Sequence, residues 1–206
     1  MSTIKTTNIT HGSNSGTANL VLASDGGITY AKKPALGRQI LEQFYTPCDG
    51  SVIATSAGNV TVEDEDDELI MTTSYQDITG SSIAYTPPSG TTQVIYEFSY
   101  THSRGDTDPI THFKFFIDSD EVTDARGTFT AAKAQLLINF KWGINIGGSA
   151  VTATGRQASW SSAKTLKMQA REYGSSNQSR LHNTYHWDGG QSFTFHRPCI
   201  GITAIG

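Results

Sequence analysis

The sequence predicts an all-β fold: an antiparallel β-sandwich of the jelly-roll kind, preceded by an extended N-terminal arm. Three observations carry this. Apolar and polar residues alternate with a period of two through residues 93–146, the period of a half-buried strand rather than a helix. Turn-forming residues separate short apolar runs at regular spacing. Glycine is high, with 20 residues, Ser and Thr are abundant, aromatics make up 10% of the chain, and Lys, Glu and Leu are sparse. β-Branched and aromatic side chains suit a pleated surface.

Taken in order, residues 1–38 read as the arm and 39–206 as the sandwich. Ser2–Asn19 is polar, with Ile4 and Ile9 its only large apolar residues, and cannot bury enough surface to fold alone. Ala18–Ala23 is a short apolar run. The turn Ser24-Asp25-Gly26-Gly27 separates it from Ile28-Thr29-Tyr30, so a weak hairpin, or a strand added to a neighbour, is expected. From residue 39 strands follow at Gln39–Tyr45, Ser51–Ala54, Leu69–Tyr75 and Ser81–Tyr85. In Gln93–Thr101, Val94, Tyr96, Phe98 and Tyr100 share one face. Phe113, Phe115 and Ile117 do so in His112–Asp118, and Leu136, Ile138, Phe140, Trp142, Ile144 and Ile146 in Gln135–Ile146. Leu166, Met168 and Ala170 alternate with Lys167, Gln169 and Arg171. Leu181–Trp187, Ser192–Phe195 and Ile200–Ile205 close the set, and only Thr128–Ala134 has a composition that suits a helix. Two antiparallel sheets in a Greek-key jelly roll accommodate these strands economically.

The formal net charge of −4 gives no reason to expect a nucleic-acid partner. No stretch approaches the roughly 18 apolar residues of a membrane span, so no membrane insertion is expected. Cys48 and Cys199 lie far apart, without a CxxC neighbour, and read as two buried free thiols of a chain made in the cytoplasm.

Candidate chemistry is sparse. The six acids Glu63–Glu68 lack the spacing of a calcium loop and read as a solvated connection. His102 and His112, joined by Asp106 or Asp108, are the weak candidates for a metal site, should they face each other across the intervening loop. His182 and His186, about 13 Å apart along one strand, are too far apart to share an ion. Arg104-Gly105-Asp106 reads as a chance match to an adhesion tripeptide. There is no GxSxG elbow, no phosphate-cradling glycine loop and no paired carboxylates, so neither catalysis nor a cofactor is expected. Trp142, Trp160, Trp187, Tyr173 and Tyr185 read first as core or subunit interface, and second as stacking surfaces for a sugar. The polar loop 174–179 is the best place for a distal contact. The candidate receptor residues are therefore Tyr173, Ser175, Asn177, Tyr185 and Trp187.

Two parts of the chain resemble a family of virion proteins from tailed phages of marine bacteria, including cyanophages. One is the opening Met1-Ser2-Thr3-Ile4-Lys5-Thr6-Thr7-Asn8-Ile9 with Leu22-Ala23-Ser24-Asp25-Gly26-Gly27. The other is Lys167-Met168-Gln169-Ala170-Arg171-Glu172-Tyr173-Gly174, Leu181-His182, Trp187-Asp188-Gly189-Gly190 and Gly201-Ile202-Thr203-Ala204-Ile205-Gly206. Asp77-Ile78-Thr79-Gly80 and Tyr85-Thr86-Pro87-Pro88-Ser89 fit the same pattern. The resemblance implies a structural protein without catalytic residues, anchored through its arm. Ile4, Lys5, Asn8, Ile9, Leu20, Val21 and Leu22 would make the attachment to another virion protein of the capsid, tail or portal. It also implies a jelly roll like the trimeric ones of the tumour-necrosis-factor and complement type. Three copies would associate because the aromatic rows exceed what one chain can keep dry. The expected role is a short fibre or knob on the virion surface that touches a host surface glycan; the alternative is a capsid decoration protein without receptor binding. No long shaft repeat is present, which disfavours a long fibre.

Overall fold

A computed structural model describes residues 8–9, 20–22, 28–30, 38–104, 109–130, 135–185, 188 and 192–206. The chain divides into two compact units, Met1–Gln39 and Ile40–Gly206. In the first, β1 (Asn8–Ile9), β2 (Leu20–Leu22) and β3 (Ile28–Tyr30) form an antiparallel sheet in that order. The apolar run and Ile28-Thr29-Tyr30 pair as the expected hairpin, Leu20 opposite Tyr30. Asn8 and Ile9 add on its other side, opposite Val21 and Leu20.

The second unit contains, in chain order, β4 (Ile40–Pro47), the hairpin β5 (Val52–Thr55) and β6 (Gly58–Thr61), β7 (Leu69–Ile70), β8 (Gln76–Asp77), β9 (Ile83–Tyr85), β10 (Gln93–Arg104), β11 (Ile110–Ile117), β12 (Asp120–Glu121), β13 (Gly127–Thr130), β14 (Leu136–Asn145), β15 (Lys164–Glu172), β16 (Ser179–Leu181), β17 (Asn183–Tyr185), β18 (Phe193–Phe195) and β19 (Cys199–Ile205). Two antiparallel sheets dominate. The first runs β4-β19-β10-β14, with β16 and then β7 continuing beside the end of β10 that β19 does not reach. The second has β11 and β15 at its centre. Both β12 and β13 lie on the free edge of β11, and β8 and β9 on the free edge of β15. The chain crosses from sheet to sheet between β7 and β8, β9 and β10, β10 and β11, β13 and β14, β14 and β15, and β15 and β16. These repeated crossings make the jelly roll that the strand count implied.

The alternation in the sequence becomes the two faces of each sheet. Val94, Tyr96, Phe98, Tyr100, Ile200 and Ile202 point inward from the first sheet, and Phe113, Phe115, Ile117, Leu166 and Met168 from the second. Tyr96 meets Phe115 with ring centroids 5.0 Å apart, and Phe113 meets Phe129 at 4.8 Å. Trp160 closes one end, donating its indole N–H to the Tyr85 carbonyl at 3.1 Å.

This corrects the expectation that the aromatic rows need neighbouring subunits. Tyr96, Phe98, Tyr100, Phe113 and Phe115 are at most 3% exposed within one chain, because each row is the cover of the other. Two further expectations change. The single strand read over Leu181–Trp187 is broken at His182, whose φ of 62° turns the chain out of the first sheet and into the separate β17–β18 pair. Of Thr128–Ala134, residues up to Thr130 are strand, and the remainder lies outside the described residues. The thiols are free. Pleating puts Cys48 on the inner face and Cys199, which pairs with neighbouring Pro47, on the outer one, where it is only half buried.

Candidate functional site

The outward face of the second sheet is densely charged. Register places Thr128, His112 and Arg171 in one row across β13, β11 and β15, and Lys114 beside Gln169 in the next. Beside them an open groove of about 300 Å3 is lined by Tyr75, His112, Phe113, Arg126, Gly127 and Thr128. Tyr75, from the loop before β8, carries Lys114 Nζ 4.2 Å and Arg171 Cζ 5.4 Å from its ring centroid. His112 Nδ1 lies 3.1 Å from Thr128 Oγ1, and its ring lies 6.0 Å from that of Tyr173. Tyr173, just past the end of β15, is 62% exposed.

Two cations, Lys114 and Arg126, share one outward carboxylate. That group, Glu121, bridges Arg126 at 2.5 Å and Lys114 at 3.0 Å. Hydrogen bonding from Arg126, and then from Lys114, holds its carboxyl below the ordinary range. Glu172 is turned inward. Arg171 donates to the Thr73 carbonyl at 3.4 Å, leaving its charge without a carboxylate among the contacts of the described residues. Chemically, the groove offers a flat exposed ring, a polar imidazole and hydroxyl, and surplus positive charge.

The sequence-derived candidates distribute unevenly. Tyr173 and His112, named for different reasons, come together. Ser175 is exposed and Asn177 half-buried in the adjoining turn, where Asn177 N–H donates to the Gly174 carbonyl at 2.8 Å. Tyr185 stands on the separate β17–β18 sheet, its ring tilted against that of Phe193 at 4.9 Å. Trp187, Asp106, Asp108, Gly105, His186, Ile4 and Lys5 lie outside the described residues. Asn8, Ile9, Leu20, Val21 and Leu22 lie on the small N-terminal sheet.

His102 and His112 do not face each other. β10 belongs to the first sheet and β11 to the second; His102 points inward and His112 outward. No cluster of three metal-ligating side chains occurs among the described residues. Tyr75, Lys114 and Arg126 were missed by the sequence reading. Lys114 and Arg171 were visible as the polar phase of their strands, but nothing local marks Tyr75 as their neighbour.

His102 belongs to a buried polar network at the end of the sandwich. The Thr111 hydroxyl donates to Ser179 Oγ at 2.6 Å, so it accepts from His102 Nε2 at 2.8 Å. This leaves His102 Nδ1 buried and unpaired. Ser103 donates to Asn183, and Asn183 in turn donates to Glu68 at 2.5 Å. Arg180 also donates to Glu68 at 2.5 Å. The acidic run is therefore more than a solvated connection. Besides Glu68, Asp64 bridges Arg197 at 2.9 Å and Glu63 accepts the Gly80 N–H at 2.7 Å. No helix among the described residues is long and apolar enough to cross a membrane.

No protein-family model matches the chain. No curated protein matches it either. Solved structures give loose likenesses. One is to a chain in a structure of the infectious bursal disease virus Gt strain: 10% identity, 91% of this chain, 50% of that chain and a TM-score of 0.26. Another is to the Gx strain of the same virus: 8% identity, 76% and 41% coverage, TM-score 0.27. A third is to a mutant VP2 protein of that virus in derived T=1 particles: 8% identity, 75% and 44% coverage, TM-score 0.26. The chain spans half or less of the length of these chains, and at such scores no assignment rests on them.

Proposed function

We propose that the chain is a structural protein of a phage particle, a short fibre or knob without catalytic activity. Three copies would associate through the outward face of the first sheet, and the N-terminal unit would attach them to another virion protein. The sequence resemblance supports the virion role, and it is the source of the number three. The observation that carries self-association is the contrast between the two outward faces.

The face of the second sheet is charged, as described. That of the first is flat and nearly uncharged: Gln43, Tyr45, Cys199, Gly201, Thr203, Ile95, Ser99, Asn139 and Gly143 share it. Its charged residues on β10 and β14, Glu97 and Lys141, pair with each other. Tyr45 lies across Gly201, where a Cβ would overlap its ring, and its hydroxyl reaches Ser99 and Cys199. Apolar side chains stand uncovered beside these small residues: Leu137 is 67% exposed, Ile40 60% and Tyr45 54%. Burying such surface is worth about 25 cal/mol per Å2. The flatness lets identical sheets approach closely.

Light scattering on the full chain tests this. The expected mass is three times that of one chain, and Leu137→Glu should reduce it to one while the β-type circular-dichroism spectrum persists. A monomeric wild-type chain at micromolar concentration would sink the threefold reading. Copy number per particle then separates roles: tens fit a fibre or knob, hundreds a decoration protein.

A further inference from the structure

We propose that the groove at Tyr75, His112 and Thr128, together with the exposed ring of Tyr173, binds an acidic saccharide. This rests on the attachment reading and names its site and ligand class. The argument starts from charge. The chain carries a net −4, yet Lys114 and Arg171 gather at the Tyr75 ring, and while Glu121 takes Lys114 and Arg126, and Asp77 takes Lys167, Arg171 has no carboxylate among the contacts of the described residues. A surface that selects positive charge against the trend of the whole protein attracts an anion.

The second component is shape and polarity. Tyr173 offers an exposed aromatic face of the kind on which the C–H face of a pyranose packs. Beside it His112 holds Thr128 through its Nδ1, so that the exposed Thr128 supplies a hydroxyl at the spacing of neighbouring strands. Arg171 lies opposite His112 in register, two residues before Tyr173, so the cation and the ring platform flank one position. A guanidinium is suited to pair with a carboxylate or sulfate through two donors. Gly127 lines the groove, and the space beside it is open, since a Cβ there would meet nothing within 4 Å. A neutral sugar would use the ring and leave the cations idle. A long nucleic acid would need a continuous basic track, and farther along β15 the next cation, Lys167, is already paired with Asp77.

The test is titration of the full chain with three probes: alginate oligomers carrying carboxylates, dextran sulfate oligomers, and neutral dextran. Either or both acidic probes should bind, and which one binds names the anion. Tyr173→Ala and Arg171→Ala should each weaken binding about tenfold. Lys164→Ala removes the same charge from β15 about 23 Å away along the strand, and should leave binding unchanged. No binding of either acidic probe, equal binding of neutral dextran, an unaffected Tyr173→Ala, or an equal loss with Lys164→Ala would each overturn the proposal. Thermal melts confirm that the exposed-site variants fold. Assaying particles for the chain separates the two readings. Presence in virions with no saccharide binding rejects the groove alone, and absence from virions rejects the virion role whatever the titration gives.

Discussion

Gly80 shows how one residue can hold several segments in place. Its φ of +80° is a left-handed conformation that costs a side chain dearly. Its N–H donates to Glu63 at 2.7 Å, and its carbonyl accepts from the Cys48 thiol at 3.2 Å. A Cβ at this position would lie 3.0 Å from Pro198 Cγ and 3.3 Å from Cys48 Cβ. Gly80→Ala should therefore lower stability by about 1–3 kcal/mol, through backbone strain and displacement of β19's lead-in. A urea midpoint equal to wild type would refute this account. The same packing explains the inertness expected of Cys48. Burial, with nearby Cys199 and Glu63 adding to it, pushes its thiol up to about 12, so almost no thiolate forms near neutrality.

Where β10, β16 and β17 meet, two histidines are enclosed by apolar rings and neighbouring strands. Both are 0% exposed, and burial lowers each to about 4. His182 sits edge-on to Phe98 and Tyr100 at 6.3 and 6.1 Å. A folded-state value depressed below the unfolded one means the unfolded chain takes up protons first. Stability is thus complete above about pH 6.5 and falls as pH drops towards 4, by about 1.4 kcal/mol per pH unit for each histidine. Glu63, raised by its own burial, works in the opposite sense. Denaturant midpoints should drop between pH 7 and pH 5, and the slope should flatten in His102→Gln. A flat profile over that window would contradict the buried neutral state. These elements also show what the sequence made legible. Strands with strict alternation, such as 93–101 and 112–118, gave both their existence and their inner face, because period two leaves no other phase. What that pattern does not encode is the partner across the gap. The rows of β10 and β11 were legible as apolar, but not as mutual covers. Likewise His102 and His112 appeared as hairpin partners, because a crossing between sheets looks the same as a turn within one. The groove was half legible: Tyr173 and His112 were singled out, while Tyr75, in a loop without periodicity, was not.

At the scale of the whole molecule, the two units divide the work proposed for the chain. Residues 40–206 enclose a core of their own from Cys48 to Ile202. The described residues of the first unit form three very short antiparallel strands. A sheet of this size is marginal by itself and gains most by laying its edge against another protein's strand. If three chains associate through their first sheets, three such units act together, and a weak individual contact becomes a firm one through effective concentration. Deleting residues 2–30 should then leave the melting temperature of the β domain and its threefold mass unchanged, while incorporation into particles falls by at least about tenfold, the factor that even modest avidity supplies. Quantitative mass spectrometry of purified particles, from cells supplying either form of the chain, measures that ratio directly. Equal incorporation would assign attachment to the jelly roll. The flat face of the first sheet, with Leu137 and Tyr45 uncovered, would then be the surface that meets the virion, and no longer the one that meets its own copies.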